Sequence, residues 1–76
     1  MNKRRRKTLQ KLAQRADELR QEVEEVREEE QEYYDNMPEN LKQSERGERA
    51  EEVVGEMEVA EDSLNNIYEI LQEVTE

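Results

Sequence analysis

Residues 33–47 read YYDNMPENLKQSERG, and this stretch decides how the chain folds. It contains the only proline, Pro38, one of two glycines, Gly47, and two of three tyrosines, Tyr33 and Tyr34. Proline disfavours helical backbone at the residue before it and costs about 3 kcal/mol inside a helix. The chain on either side is rich in Glu, Gln, Arg and Lys, which favour helix. The sequence therefore predicts two helices, about 3–35 and 43–75, joined by a turn at residues 36–42.

Apolar residues recur at alternating spacings of three and four on both sides of this turn. Such a repeat marks the a and d positions of a heptad and predicts a helix that packs on another helix. Glu30 and Arg46 interrupt the repeat close to the turn. Before the turn the repeat consists of Leu9, Leu12, Ala16, Leu19, Val23, Val26, Tyr33 and Met37, and after it of Ala50, Val53, Met57, Ala60, Leu64, Ile67, Leu71 and Val74.

The equal lengths of the two patterned arms indicate an all-α fold, an antiparallel two-helix coiled-coil hairpin. Pairing a positions with d positions predicts that Leu19 packs on Leu64 and that Arg20 meets Glu61. The alternative is one long helix in a parallel dimer, which Pro38 disfavours because it cannot continue a helix.

Self-association is expected because 76 residues make a small core for one domain. In the predicted register the e positions, which follow the d positions, border the contact between the two helices and form its more apolar side. We therefore predict that two hairpins associate into a four-helix bundle as a homodimer, through a face that contains Ala13, Val54 and Tyr68.

The absence of cysteine, histidine and tryptophan excludes much chemistry. Without thiolates or imidazoles the chain lacks disulfides, the usual zinc ligands, and any nucleophile paired with a base. We expect no catalytic activity, no small-molecule substrate, no cofactor and no metal site. No segment approaches the about 20 apolar residues of a membrane span, so a cytoplasmic protein is expected.

Charge is distributed unevenly along the chain. The net charge of −10 argues against general nucleic-acid binding, because phosphates repel such a chain. Residues 1–16 nevertheless hold seven basic residues and no acid, whereas residues 22–35 and 48–61 together hold fourteen acidic and two basic residues. The predicted hairpin therefore has a basic end and an acidic half.

The basic arm of the chain, residues 3–7, has two interpretations. In a hairpin it lies near the acidic C-terminal residues Glu69, Glu73 and Glu76, and it can neutralise them through exposed ion pairs. Alternatively, it contacts nucleic acid. The basic arm comprises Lys3, Arg4, Arg5, Arg6 and Lys7.

Two further surfaces are candidate binding sites for a protein. Exposed glutamates of the acidic half either keep a helical protein in solution or complement a basic groove on a partner, such as the nucleic-acid channel of an enzyme. The apolar residues of the turn either cover the end of the hairpin or anchor a partner. The acidic face comprises Glu25, Glu28, Glu29, Glu52 and Glu56, and the tip comprises Tyr33, Tyr34, Met37, Pro38 and Leu41.

The central segment resembles that of a group of small uncharacterised proteins of bacteriophages, prophages and other mobile elements of Gram-positive bacteria. The resemblance rests on residues 34–41, YDNMPENL, followed by Ser44, Glu45 and Arg46. It implies no activity, but it implies a small accessory protein in a bacterial host cell. From this we expect a module that binds and modulates or inhibits a host protein, such as a defence or nucleic-acid-processing enzyme. A nucleic-acid-associated protein that uses the basic arm and a structural or assembly protein are the alternatives.

Overall fold

The computed structural model describes all 76 residues and contains three helices and no strand. They are α1 (Lys3–Asp35), α2 (Glu39–Lys42) and α3 (Glu45–Thr75). The predicted all-helical class is therefore confirmed. The two long helices pack side by side into a rod whose Cα atoms span 58 × 14 × 13 Å. None of the three helices is long and apolar enough to cross a membrane.

Local signals account for both ends of α1. At its start the side-chain oxygen of Asn2 accepts a hydrogen bond from the backbone N–H of Arg5, at 2.8 Å. This contact satisfies one of the free N–H groups of the first turn. At the other end Asn36 donates its N–H to the carbonyl of Glu32, and helical backbone then stops two residues before Pro38, as the restriction on the residue before proline requires.

The helix α2 lies inside the stretch for which the sequence predicts only a turn. The carbonyl of Pro38 accepts hydrogen bonds from the N–H groups of Leu41 and Lys42, at 2.9 and 3.0 Å. The hydroxyl of Ser44 then donates to the carbonyl of Leu41, and α3 begins at Glu45 rather than at residue 43. A helix of four residues is too short to produce an apolar period, so the heptad pattern does not indicate it.

Gly47 allows α2 and α3 to lie in direct contact. A Cβ atom at this position would lie 2.2 Å from the carbonyl oxygen of Lys42. The φ angle of Gly47 is not positive, so the requirement for glycine is one of space and not of backbone conformation. The sharp corner of the chain therefore falls between Lys42 and Glu45, beyond the end of α1.

The contacts between α1 and α3 join later residues of α1 to earlier residues of α3. Arg27 donates from Nε to Oε2 of Glu61 at 2.5 Å, whereas Tyr34, further along α1, lies by Glu51, which is earlier in α3. Residues whose numbers sum to about 85–88 thus lie side by side. The predicted pairing of Arg20 with Glu61 is wrong, because Arg20 binds Asp17 and Glu24 within its own helix.

The seam between the long helices uses the a and e positions rather than the predicted a and d positions. Every a position from Leu9 onward and every e position from Ala13 onward is buried or half-buried, whereas the d positions are exposed, with the exception of Val53. The a positions are Leu9, Ala16, Val23, Glu30, Met37, Ala50, Met57, Leu64 and Leu71, and the e positions are Ala13, Arg20, Arg27, Tyr34, Gly47, Val54, Glu61, Tyr68 and Thr75. Four seam positions carry only alanine or glycine, and such small residues let two helix backbones approach closely. The four are Ala13, Ala16, Gly47 and Ala50.

This seam places the residues predicted for self-association inside the helix pair. Ala13 and Val54 are only 2% and 7% exposed, and Tyr68 is half-buried. They lie in the contact between α1 and α3, so the e side offers no free apolar face for a second copy. The side left open is the opposite one, which carries the d positions.

An apolar stripe runs along this open side of the rod. A groove lined by Leu12 and Leu19 of α1 together with Leu64 of α3 shows that the d side of α1 opens onto α3. In an antiparallel pair, equivalent heptad positions of the two helices flank the same side of the seam, so the exposed d positions of α3 border the same groove. The apolar stripe comprises Leu12, Leu19, Val26, Tyr33, Ile67, Ile70 and Val74, all of them exposed.

Candidate protein-binding surfaces

The acidic half of the rod is built by both long helices. The pairing of Arg27 with Glu61 brings residues 22–35 of α1 alongside the middle of α3. All five predicted residues of the acidic face have exposed side chains: Glu25, Glu28, Glu29, Glu52 and Glu56. A dense field of carboxylates on a narrow rod attracts a positively charged surface and repels phosphate.

Arg27 is the basic residue of α1 that lies within this acidic half. Its pKa is raised, chiefly by the hydrogen bond to Glu61 and further by the nearby carboxylates of Glu58 and Glu28. The ion pair joins the two helices, and both side chains are largely covered. Arg27 therefore acts as a link within the helix pair and leaves most of the surrounding carboxylates without a cation.

The tip is less open than the sequence suggests. Met37 is buried and Leu41 half-buried, so they pack within the chain, whereas Tyr33 and Pro38 are exposed. Of the five predicted tip residues, only these last two are exposed, and Tyr33 is 47% exposed. The tip thus combines a packed interior with a small exposed surface.

Tyr34 ties the tip to α3. The pKa of its phenol is raised, chiefly by a hydrogen bond to Glu51 and also by partial desolvation and neighbouring carboxylates. The ammonium of Lys42 lies 5.4 Å from the centre of the Tyr34 ring, a distance typical of a cation–π contact. Tyr34 is therefore a structural residue of the corner as well as a candidate contact.

The basic arm extends beyond the end of α3. In the register set by Arg27 and Glu61, the last helical residue of α3, Thr75, lies beside Ala13, and both are buried. All of residues 1–8 are exposed, and no ion pair joins the arm to α3. The neutralisation of Glu69, Glu73 and Glu76 by the arm, one of its two sequence-based interpretations, is therefore not formed within the chain.

The remaining side chains offer no concentrated chemistry. No group of three or more acidic residues converges as a metal site. The hollows along the rod are open grooves between neighbouring side chains, such as the one formed by Gln31, Tyr34, Glu51 and Val54.

Sequence reasoning missed two features of this surface, the apolar stripe and the close contact at Gly47. The first had a signal, because apolar residues at a, d and part of e form a band wider than one neighbouring helix covers. Ile70, at a g position, widens that band further. The close contact at Gly47 had no signal in the sequence, since it depends on where α2 lies.

No protein family, curated protein or solved structure matches the chain.

Proposed function

We propose that the chain is a non-catalytic protein-binding module whose acidic half and tip bind a basic surface on another protein. The helix pair serves as an antiparallel coiled-coil hairpin that associates with a second copy into a four-helix bundle. Its resemblance to small proteins of phages and mobile elements supports a role in modulating or inhibiting a host protein. A nucleic-acid-processing or defence enzyme, whose channel is basic, is the kind of partner that fits.

The observation that carries this proposal is the concentration of charge. Residues 22–35 and 48–61, with fourteen acidic and two basic residues between them, belong to the two helices that pack side by side. Across the seam, the ion pair of Arg27 with Glu61 neutralises one of these carboxylates. Such a surface steers association with a basic groove, and the resulting affinity falls as salt rises.

A charge-matched pair of variants tests this function. In the first, the five glutamates of the acidic face, at positions 25, 28, 29, 52 and 56, are changed to glutamine. The control removes five charges elsewhere, by Glu→Gln at 18, 69, 73 and 76 and Asp→Asn at 62. These positions are likewise exposed. Tagged proteins are used to capture partners from host cells, and binding to the captured protein is then measured against salt concentration.

We expect the acidic-face variant to lose binding at least tenfold relative to the control, because only it removes the carboxylates that face the basic groove. The affinity of the unmodified chain should fall steeply with salt. Equal affinities of the two variants, or binding that is indifferent to salt, would rule out recognition through the acidic half.

A second candidate function is contact with nucleic acid through the basic arm. The observation that favours it is that residues 3–7 project past the end of α3 without an ion pair to it. If the arm binds phosphates, deletion of residues 1–7 abolishes a strongly salt-dependent affinity in a gel-shift titration. Absence of a shift with the full chain at low salt would eliminate this function.

A further inference from the structure

The apolar stripe is too large to be ordinary exposed surface. Its side chains follow one side of the rod over most of its length, and Leu19 and Ile67 in its centre are 48% and 45% exposed. Monomeric proteins rarely leave continuous apolar patches of this kind open to water, because burying them is favourable. The remaining large exposed apolar residues, Met1 and Val59, lie away from the stripe and are isolated.

The solvent-accessible surface area of the chain exceeds that of a compact monomer by about the area that one partner would cover. A compact folded monomer of this mass would expose about 4,900 Å². The helix pair exposes 5957 Å². The excess of about 1,000 Å² is close to the about 800 Å² that each partner contributes to an interface of standard size.

We propose that the apolar stripe is the surface on which a second copy of this chain packs, with the two rods antiparallel about a two-fold axis near Ile67. The inference rests on the self-association included in the proposed function, and it is independent of any external partner. The proposed dimer interface uses the d positions, whereas the sequence predicts an interface at the e positions.

The position of the axis follows from the extent of the stripe. On α1 the stripe runs from Leu12 to Tyr33, with its midpoint near residue 22. On α3 Ile67 lies at the same height of the rod, because facing residue numbers sum to about 88. A two-fold axis at this height lets the stripes of both copies overlap along their whole length, which buries the largest apolar area.

The distribution of charge selects the antiparallel orientation. Parallel rods would place the two acidic halves beside each other, which costs energy through repulsion. In the antiparallel arrangement the basic arm of one copy lies about 15–19 residues from the axis, at a rise of about 1.5 Å per residue. At that height the second copy presents acidic residues and fewer basic ones: Glu32, Asp35, Glu39, Glu45, Glu48 and Glu51 against Lys42, Arg46 and Arg49. The arm, which has no ion pair within its own chain, thus meets an end of the second copy where carboxylates outnumber cations.

The arrangement also changes what the tip offers to an external protein. Tyr33 lies at the end of the stripe, and in the antiparallel dimer it packs close to Leu12 of the second copy. The outward-facing carboxylates, such as Glu25 and Glu28, remain exposed on each copy. An external partner would therefore contact the acidic half of an assembled dimer, with Tyr33 covered.

Charge substitutions in the stripe test the face. Sedimentation equilibrium should show the unmodified chain as a dimer at micromolar concentration, and Leu19→Glu or Ile67→Glu should weaken the dimer at least a hundredfold. Val59→Glu is the matched control, since Val59 is 64% exposed and occupies none of the a, d or e positions. A monomeric unmodified chain at high micromolar concentration would overturn the proposal. So would stripe variants that stay dimeric, or a Val59→Glu variant as monomeric as they are.

A second measurement does not depend on the folding of the stripe variants. The chain has no cysteine, so Gln43→Cys, at the exposed corner, gives a single labelling site. In an antiparallel dimer two labels at this position lie at opposite ends of the assembly, more than about 50 Å apart, whereas parallel rods bring them within about 30 Å. Energy transfer should be weak for Gln43→Cys alone and strong between Lys7→Cys and Gln43→Cys in a mixed dimer. The reverse result would overturn the orientation.

Deletion of residues 1–7 isolates the contribution of the arm. We expect the dimer to weaken by about tenfold at low salt, in line with a few exposed ion pairs per copy, and the difference to shrink as salt rises. An unchanged dimer affinity would remove the arm from the interface. Because these measurements use the chain alone, their failure is distinct from a failure of the acidic face to bind an external partner.

Discussion

At the scale of single residues, the two glycines have opposite roles although both lie in α3. Gly47 contacts the backbone of Lys42, whereas a Cβ atom at Gly55 would meet nothing within 4 Å. We predict that Gly47→Ala destabilises the fold by about 1–3 kcal/mol, because backbone cannot move aside as a flexible side chain can. Gly55→Ala should stabilise it by up to about 1 kcal/mol through helix propensity.

Urea unfolding followed by circular dichroism compares the two glycine variants directly. The same change of Gly to Ala in the same helix makes each a control for the other. If Gly47→Ala proved as stable as Gly55→Ala, the close packing of α2 on α3 would be disproved.

Tyr34 gives a prediction about pH. Its raised pKa means that the folded chain favours the protonated phenol, which lies beside Glu51. The stabilising contribution is therefore present below the ordinary tyrosine pKa of about 10 and is lost as pH rises through the raised value. The difference in free energy of unfolding between the unmodified chain and Tyr34→Phe should shrink above that pH.

A spectrophotometric titration identifies the group. The tyrosinate signal that is missing in Tyr34→Phe should correspond to a pKa above about 10. Glu51→Ala should shift this component down, since it removes the largest cause of the raised pKa. A Tyr34 titration that does not respond to Glu51→Ala would contradict the contact.

At the scale of elements, the start of α1 is a helix without a neighbour in the chain. Asn2 caps it, and residues 3–8 are exposed on all sides. We predict that Asn2→Ala, which removes about 1 kcal/mol of capping, causes local fraying of residues 3–7 without lowering the overall unfolding temperature. Backbone amide exchange of the basic arm should become faster.

The matched control for this change is Asn66→Ala. Asn66 is exposed in the middle of α3, so replacing it by a better helix former should leave the arm unaffected and slightly stabilise the helix. A fall in the global unfolding temperature of Asn2→Ala, without faster exchange in the arm, would show that the arm is integrated with the rest of the fold.

The choice between two seams also belongs to this scale. The a/d and a/e stripes have the same period of three and four residues, so periodicity alone cannot say which one packs within the chain. The d positions are more apolar than the e positions, so the sequence favours the d positions as part of the contact between the helices. The structure instead uses Ala13, Ala16 and Ala50 for close contact and includes the ion pair of Arg27 with Glu61 in the seam.

At the scale of the whole molecule, the chain is an extended rod with a small core. Its radius of gyration is 17.2 Å, and no large side chain is fully buried. A compact domain of this length would have a radius of gyration of about 11 Å. The large apolar side chains that α1 and α3 leave exposed, such as Leu19, Ile67 and Ile70, therefore do little for the stability of a single copy.

We predict that the unfolding temperature rises with protein concentration, because association stabilises only the folded chain. Side-by-side packing of two rods should double the scattering mass in solution and leave the longest dimension close to that of one rod, whose Cα atoms span 58 Å. Thermal scans over a hundredfold range of concentration and small-angle scattering check both points. A longest dimension that doubles would indicate end-to-end association instead.

The sequence by itself determined the helical class, the interruption before Pro38 and the separation of a basic arm from an acidic half. These follow from local propensity, from proline's restriction of its neighbour and from the order of charges, none of which needs tertiary contacts. Only the tertiary structure decided the register, the a/e seam and the open side of the rod. The physical reason is that they depend on the position of the corner, which the contact of α2 with Gly47 sets. A heptad repeat predicts that an apolar stripe exists, and the position of the corner decides which part of the stripe stays exposed.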